Sequence, residues 1–225
     1  MTQAGDLGHP PERSSERSHE PGEFYVSAGV GPHPEPWPNG DEFDIELLRD
    51  GDRRNIVDEF RYLTVDAIRA RLAARRSSVH VAIENWQHDL NIGSLVRTAN
   101  AFNVAAVHII GNKHWNQRGA LMTDKYLEIV HHPDVNAFKS AVLAAGLTVV
   151  AFDNVKGATP LDRCALPQDC VLLFGNEGLG LSTEAIAAAE ALVEITQFGS
   201  VRSINASAAG AIALFEWTRQ HRPTL

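Results

Sequence analysis

From Val79 onward, short and nearly uninterrupted apolar runs alternate with stretches of helical spacing, and this alternation restricts the possible folds more than any other feature. Val79 to Ile83, Ala105 to Ile110, Leu147 to Phe152, Val171 to Phe174 and Leu192 to Ile195 read as strands. Ile92 to Phe102, Val135 to Ala145, Thr183 to Glu190 and Asn205 to His221 read as helices. Strands apolar on both sides must be covered on both faces. The pattern therefore predicts an α/β fold with a mostly parallel sheet and helices on both faces. Ligands of such sheets bind beyond the carboxyl ends of the strands, which is where the polar and glycine-rich segments of this chain fall.

The residues before this region are of another kind. Residues 1–40 hold seven of the eleven prolines and few aliphatic side chains, so they bury too little apolar surface to offset their ordering entropy and are expected to be a disordered tail. Residues 41–78 read as an irregular acidic arm followed by a basic helix capped by Thr64 and running to about Arg76, and residues 79–225 as the α/β domain. The net charge of −8 is concentrated at the start: residues 1–60 carry 14 of the 28 acids and 5 of the 20 bases. The remainder is nearly neutral, so charge neither indicates nor excludes a nucleic-acid partner. No basic region leads into an apolar core at the start and no apolar run is long enough to span a bilayer, from which a cytoplasmic chain without a membrane segment is expected. Cys164 and Cys170 have no histidines at zinc-finger spacing and read as ordinary thiols. The adjacent His131 and His132 lack a clustered third ligand and read as a loop, so no metal site is expected.

Three segments follow predicted strands. In the first, ENWQHDLNIGSLVR, Asn91 is placed to cap a helix, Gly93 permits close approach, and Arg97 is either a surface arginine or a group that grips a phosphate or carboxylate with two N–H donors. The second, LLFGNEGLGLS, places Glu177 among Gly175, Gly178 and Gly180. It fails as a dinucleotide fingerprint because a carboxylate occupies the middle glycine position, and it fails as a phosphate loop because the Gly-Lys-Ser/Thr ending is missing. The third, ITQFGSVRSINAS, brings Ser203 and Asn205 to the start of the last helix, where such residues are commonly only caps. That helix is rich in alanine and carries Leu214, Phe215 and Trp217, which suits burial against a second subunit or within the chain.

Taken in order, NIGSLVRTANAF, LLFGNEGLGLS and ITQFGSVRSINAS resemble the three motifs of the SpoU (TrmH) family of RNA ribose 2′-O-methyltransferases, and the likeness spans about Val79 to His221. The resemblance implies a C-terminal trefoil knot of the SPOUT type, S-adenosylmethionine bound in it, and a homodimer formed through the knot region and the C-terminal helix. By position it implies catalytic roles for Asn91, Arg97, Glu177, Ser203 and Asn205. It implies cofactor contacts from Gly175, Asn176, Gly178, Ile195, Gln197, Ser203 and Ile204. Thr196 and Gln197 replace the common Pro and Met, and Ile204 the common Leu, which alters the lining of the adenosine pocket more than the chemistry. VRSINASAAGAIALFEWTRQ and LMTDKYLEIVHHP are most similar to the tRNA guanosine enzymes of the family, which favours tRNA over ribosomal RNA. Arg69, Arg75, Arg76, Lys113, Arg118 and Arg202 are the expected phosphate contacts, so RNA affinity should fall with added salt. The competing readings are a ribosomal RNA methyltransferase and a catalytically silent RNA-binding protein on the same fold; a nicotinamide-dependent oxidoreductase is disfavoured by the failed glycine fingerprint.

Overall fold

The computed structural model describes residues 29–86, 91–176 and 178–222. The chain divides into two units, Met1–Tyr62 and Leu63–Leu225.

In the first unit, the Asp44 carboxyl accepts the Glu46 and Leu47 N–H groups and starts helix α1 (Ile45–Asp50), where the sequence pattern gave only an irregular arm. Val30 and Asp52 form an antiparallel bridge. The fully buried Asp52 carboxyl accepts from the Arg54 backbone and guanidinium and from the Tyr62 N–H. Burial pushes this carboxyl up, but Arg54 and the two backbone donors outweigh it and hold it below the usual carboxylate range. Residues 29–40 share the composition of the tail, yet Val30 and His33 are tied to the arm by main-chain hydrogen bonds, which composition does not register. Residues 1–28 lie outside the described residues.

The second unit opens with helix α2 (Val65–Ala73), whose first turn is capped by Thr64 Oγ1 accepting from Ala67 N–H at 3.2 Å. At its far end, the Asn103 amide donates to the carbonyls of Leu72 and Arg75. Seven strands follow: β1 (His80–Asn85), β2 (Val107–Gly111), β3 (Ile129–His132), β4 (Thr148–Phe152), β5 (Thr159–Pro160), β6 (Cys170–Phe174) and β7 (Ala191–Glu194). They form one sheet in the order β3-β2-β1-β6-β4-β7-β5, every pair parallel. Helices α3 (Asn91–Ala101), α4 (Val135–Ala144), α5 (Thr183–Ala188) and α6 (Ala206–His221) complete the unit.

The two-residue alternation of the strands builds two cores. On β6, Cys170, Leu172 and Phe174 pack with Leu95 and Val96 of α3 and with Leu214 and Trp217 of α6. Val171 and Leu173 turn to the other face, against Phe138 and Val142 of α4 and Ala185 of α5. Helices therefore cover both faces, as the apolar strands predict.

His131 and His132 are not a loop: they end β3. His132 belongs to a ladder in which His80 Nδ1 meets His108 Nε2 at 2.9 Å and His108 Nδ1 meets His132 Nε2 at 2.8 Å. His131 Nε2 bonds instead to the Gly111 carbonyl at 2.7 Å. Imidazoles on neighbouring strands satisfy one another, so polar residues enter a sheet that an apolar pattern would not reveal.

Candidate active site

β4, β6 and β7 end side by side, and the loops that leave them enclose a cleft of ≈ 360 Å³. Its base is apolar, made by Phe152, Phe174 and Val193 at or near the strand ends.

The loop after β6 closes on itself. Asn176 and Gly180 exchange both of their backbone N–H···O bonds, at 3.1 and 3.0 Å. A Cβ on Gly175 would overlap the Gly180 carbonyl, and Gly180 has a φ of 70° with room for no side chain, since a Cβ would lie 2.7 Å from Asp153 Oδ2. These glycines are needed for the loop to fold against itself and against β4. Its exit is held from β1: the buried Glu84 carboxyl accepts Ser182 N–H at 2.8 Å and Ser182 Oγ–H at 2.7 Å, and also Trp86 Nε1–H. Ser182 Oγ in turn accepts Ala185 N–H and caps α5, as its place in the sequence suggests.

The loop after β7 ends at Asn205, which acts through both ends of its amide. Asn205 Oδ1 accepts from Ser207 N–H and Oγ–H and caps α6, while Nδ2 donates to Asn91 Oδ1 at 2.5 Å. Asn91, read from the sequence as a cap of α3, is the first described residue of that helix, and its buried side chain accepts from Asn205. The bond ties the starts of α3 and α6. Gly93 does permit a close approach, but to protein: a Cβ there would lie 2.8 Å from the Asn116 carbonyl.

Gly175, Asn176, Gly178, Ile195, Gln197, Ser203 and Ile204 all line the cleft, together with Asn205. Asn91 does not line it but is hydrogen-bonded to Asn205, which does. Arg97 does not line it; it is exposed on α3, with no hydrogen bond or ion pair among the described residues. Glu177 lies outside the described residues. Of the expected phosphate contacts, Arg69 is exposed and donates from Nε to the Lys125 carbonyl. Arg69 and Arg76 border a shallow depression with Glu128. Arg75 follows α2, Lys113 and Arg118 are exposed after β2, and Arg202 is exposed in the loop after β7.

Three residues of this region were not singled out by motif: Glu84, Asp153 and Asn154. Asp153 and Asn154 line the cleft directly after β4. Their position at a strand's carboxyl end was the available signal.

On the wall, Asn176 Nδ2 and Gln197 Oε1 are buried without a hydrogen-bond partner among the described residues. Buried polar atoms are rarely left unpaired. A cleft with an apolar base and polar walls suits a flat heteroaromatic group with polar edges. Among the described residues, no group of three or more His, Cys, Asp or Glu side chains could hold a metal ion, and no helix is long and apolar enough to cross a membrane.

Comparison with known proteins places this geometry in context. The model of the SpoU rRNA Methylase family matches residues 78–215. The tRNA (guanosine(18)-2′-O)-methyltransferase of Thermus thermophilus is 29% identical over 157 residues, covering 66% of this chain and 78% of the relative. The Escherichia coli enzyme of the same name is 25% identical over 154 residues, covering 67% of each chain. Among solved structures, the A. aeolicus TrmH/SpoU tRNA modifying enzyme superimposes with a TM-score of 0.62 at 25% identity, over 69% of this chain and 81% of its own. An AdoMet-bound rRNA methyltransferase from Sinorhizobium meliloti gives 0.59 at 28% identity, over 64% and 57%. With the family model matching well over half of its length, the chain belongs to the SpoU rRNA methylase family.

Proposed function

We propose that this protein methylates a ribose 2′-hydroxyl of tRNA, with S-adenosylmethionine as donor. The observation that carries the reading is the convergence of the loops after β4, β6 and β7 on one cleft whose wall holds a donor, Asn176 Nδ2, and an acceptor, Gln197 Oε1, both unpaired among the described residues. The residues fit the adenosyl group: Phe152, Phe174, Val193 and Ile204 offer apolar faces, and the two unpaired amide atoms offer polar partners. Gly175, Asn176, Gly178, Ile195, Gln197, Ser203 and Ile204 would hold it. When bound, S-adenosylmethionine supplies an electrophilic methyl group.

The chain's own contribution is positional and electrostatic. A guanidinium donates hydrogen bonds and accepts none, so Arg97 does not take the hydroxyl's proton. It orients the ribose and stabilises the oxygen as negative charge develops, and an RNA phosphate accepts the proton. The Asn91–Asn205 bond fixes the starts of the helices that carry Arg97 and the loop of Ser203. Glu177, the carboxylate of the second motif, is assigned a catalytic role by its position in the sequence. Arg69, Arg75, Arg76, Lys113, Arg118 and Arg202 engage phosphates. The strand order, with β6 between the earlier β1 and β4, is compatible with trefoil threading, and exposed apolar side chains on α6 and the loop before it support a homodimer.

tRNA is favoured by the names of the Thermus and Escherichia relatives, and guanosine 18 is the first nucleotide to assay. The family description and the Sinorhizobium structure favour ribosomal RNA as the second reading. Incubation with methyl-labelled S-adenosylmethionine and separated tRNA and ribosomal RNA decides between them. Label is expected in tRNA, at an alkali-resistant linkage. Label confined to ribosomal RNA overturns the tRNA assignment, and no label in any RNA despite donor binding makes this a silent RNA-binding protein.

A further inference from the structure

Asp153 and Asn154 follow the last residue of β4, and each reaches a different wall of the cleft. Asp153 is anchored to the sheet by its own N–H, which donates to the Val193 carbonyl at 3.1 Å. Its Oδ2 accepts Leu181 N–H at 2.9 Å, at the end of the loop after β6, and its Oδ1 accepts Asn154 N–H at 2.7 Å. Gly180 approaches the same carboxylate so closely that a methyl group there would collide with Oδ2. Asn154 points the other way: Nδ2 donates to the Arg202 carbonyl at 3.0 Å, in the loop after β7. Gln197 Nε2 reaches the same carbonyl at 3.5 Å, a weaker contact.

We propose that Asp153 and Asn154 are positioning residues that together set the spacing of the two walls between which the methyl donor binds. Asp153 is the only charged side chain among the described residues lining the cleft, and two backbone N–H groups direct it. A carboxylate accepting main-chain donors makes stronger bonds than a neutral group would. Asn154 is constrained because the N–H of its own backbone is held by Asp153, so the two bonds act as one brace across the cleft. The main-chain bond to Val193 ties that brace to β7. This inference rests on the reading of the cleft as the donor site.

The test uses the full chain and S-adenosylhomocysteine, the demethylated donor, as the calorimetric probe. Asp153→Ala and Asn154→Ala are each expected to weaken its binding about ten-fold. Because the bonds belong to one brace, the double variant should lose less than the product of the two single losses. Asp153→Asn, which keeps one oxygen for Leu181, should recover part of the affinity. A second readout needs no ligand: the Leu181 amide should exchange with solvent faster in Asp153→Ala than in wild type, while remaining slow in Asn154→Ala. Wild-type affinity in both alanine variants, or unchanged Leu181 exchange in Asp153→Ala, overturns the inference while leaving the donor site standing. Failure of the wild-type chain to bind S-adenosylhomocysteine at all overturns the donor-site reading and this inference with it.

Discussion

Glu84 is fully buried on β1, and its carboxyl satisfies three donors, Ser182 N–H, Ser182 Oγ–H and Trp86 Nε1–H. Glu84→Ala removes the acceptor of all three part-buried donors, and an expected loss of about 1–3 kcal/mol in unfolding free energy follows, measurable by urea denaturation. Glu84→Gln, which keeps one oxygen, should cost less; equal stability of Glu84→Ala and wild type would show that water replaces the carboxyl. Arg97 calls for a different kind of experiment, because it is exposed and lines no part of the cleft. Arg97→Ala should lower kcat by about 10²-fold or more while leaving S-adenosylhomocysteine affinity unchanged, and Arg97→Lys should keep part of the rate. Wild-type turnover in Arg97→Ala would remove the residue from the reaction. The cleft-lining residues were legible through the match of the second and third segments to family motifs, not from residue type alone, since glycines and short polar side chains at strand exits commonly serve as turns and caps. Glu84, Asp153 and Asn154 were not: a carboxyl's value here depends on which backbone N–H groups reach it, and Ser182 is 98 residues away along the chain from Glu84.

At the scale of elements, the sheet edge formed by β1, β2 and β3 contains the histidine ladder, and it makes stability depend on pH. Burial, and then the neighbouring histidines His80 and His132, push His108 down to about 3. Burial also lowers His80, with Glu128 and Asp169 opposing, and it lowers His132, reinforced by His131. Phe138 of α4 packs edge-on against both the His108 and the His132 rings and closes off that face. Since the folded value of His108 lies below the unfolded value of about 6.5, its contribution is fully present above about pH 6.5 and is lost as pH falls toward about 3. Unfolding free energy should therefore drop below about pH 6.5, with His108 contributing up to about 1.4 kcal/mol per pH unit. Urea titrations at pH 7.5, 6 and 5 check this, with His108→Asn expected to flatten the slope; a wild-type slope of zero between pH 6.5 and 5 would mean the imidazoles are already charged in the fold. The ladder also explains why β3 escaped the sequence reading. A four-residue strand with two histidines lacks the apolar run that marked its neighbours, and β5, of two residues, is too short to show any period.

For the molecule as a whole, local pattern specifies that strands and helices alternate but not which strands become neighbours. The α/β class was legible from Val79 onward, whereas the insertion of β6 between β1 and β4 depends on long-range packing that no window of sequence records. The same limit applies to surfaces, since an apolar residue in a helix can face a core or a partner. On α6, Ala213, Leu214 and Trp217 face the core, but Phe215 is 63% exposed, Ile212 is 42% exposed and, in the loop before the helix, Phe198 is 95% exposed. Ile212, Phe215 and Phe198 border one apolar hollow with Leu161 and Ile195. A contiguous exposed apolar patch of this kind is the surface the proposed homodimer would bury. In a two-fold dimer, each substitution counts in both subunits. Replacing one phenylalanine by aspartate removes about 1.5–3 kcal/mol of burial per subunit, or about 3–6 kcal/mol per dimer, a 10²- to 10⁴-fold weaker dimer. Sedimentation of the wild-type chain at micromolar concentration should give a dimer and that of Phe215→Asp a monomer with an unchanged circular dichroism spectrum. A monomeric wild type would remove the dimer from the proposed function, and a dimeric Phe215→Asp would move the interface to another face.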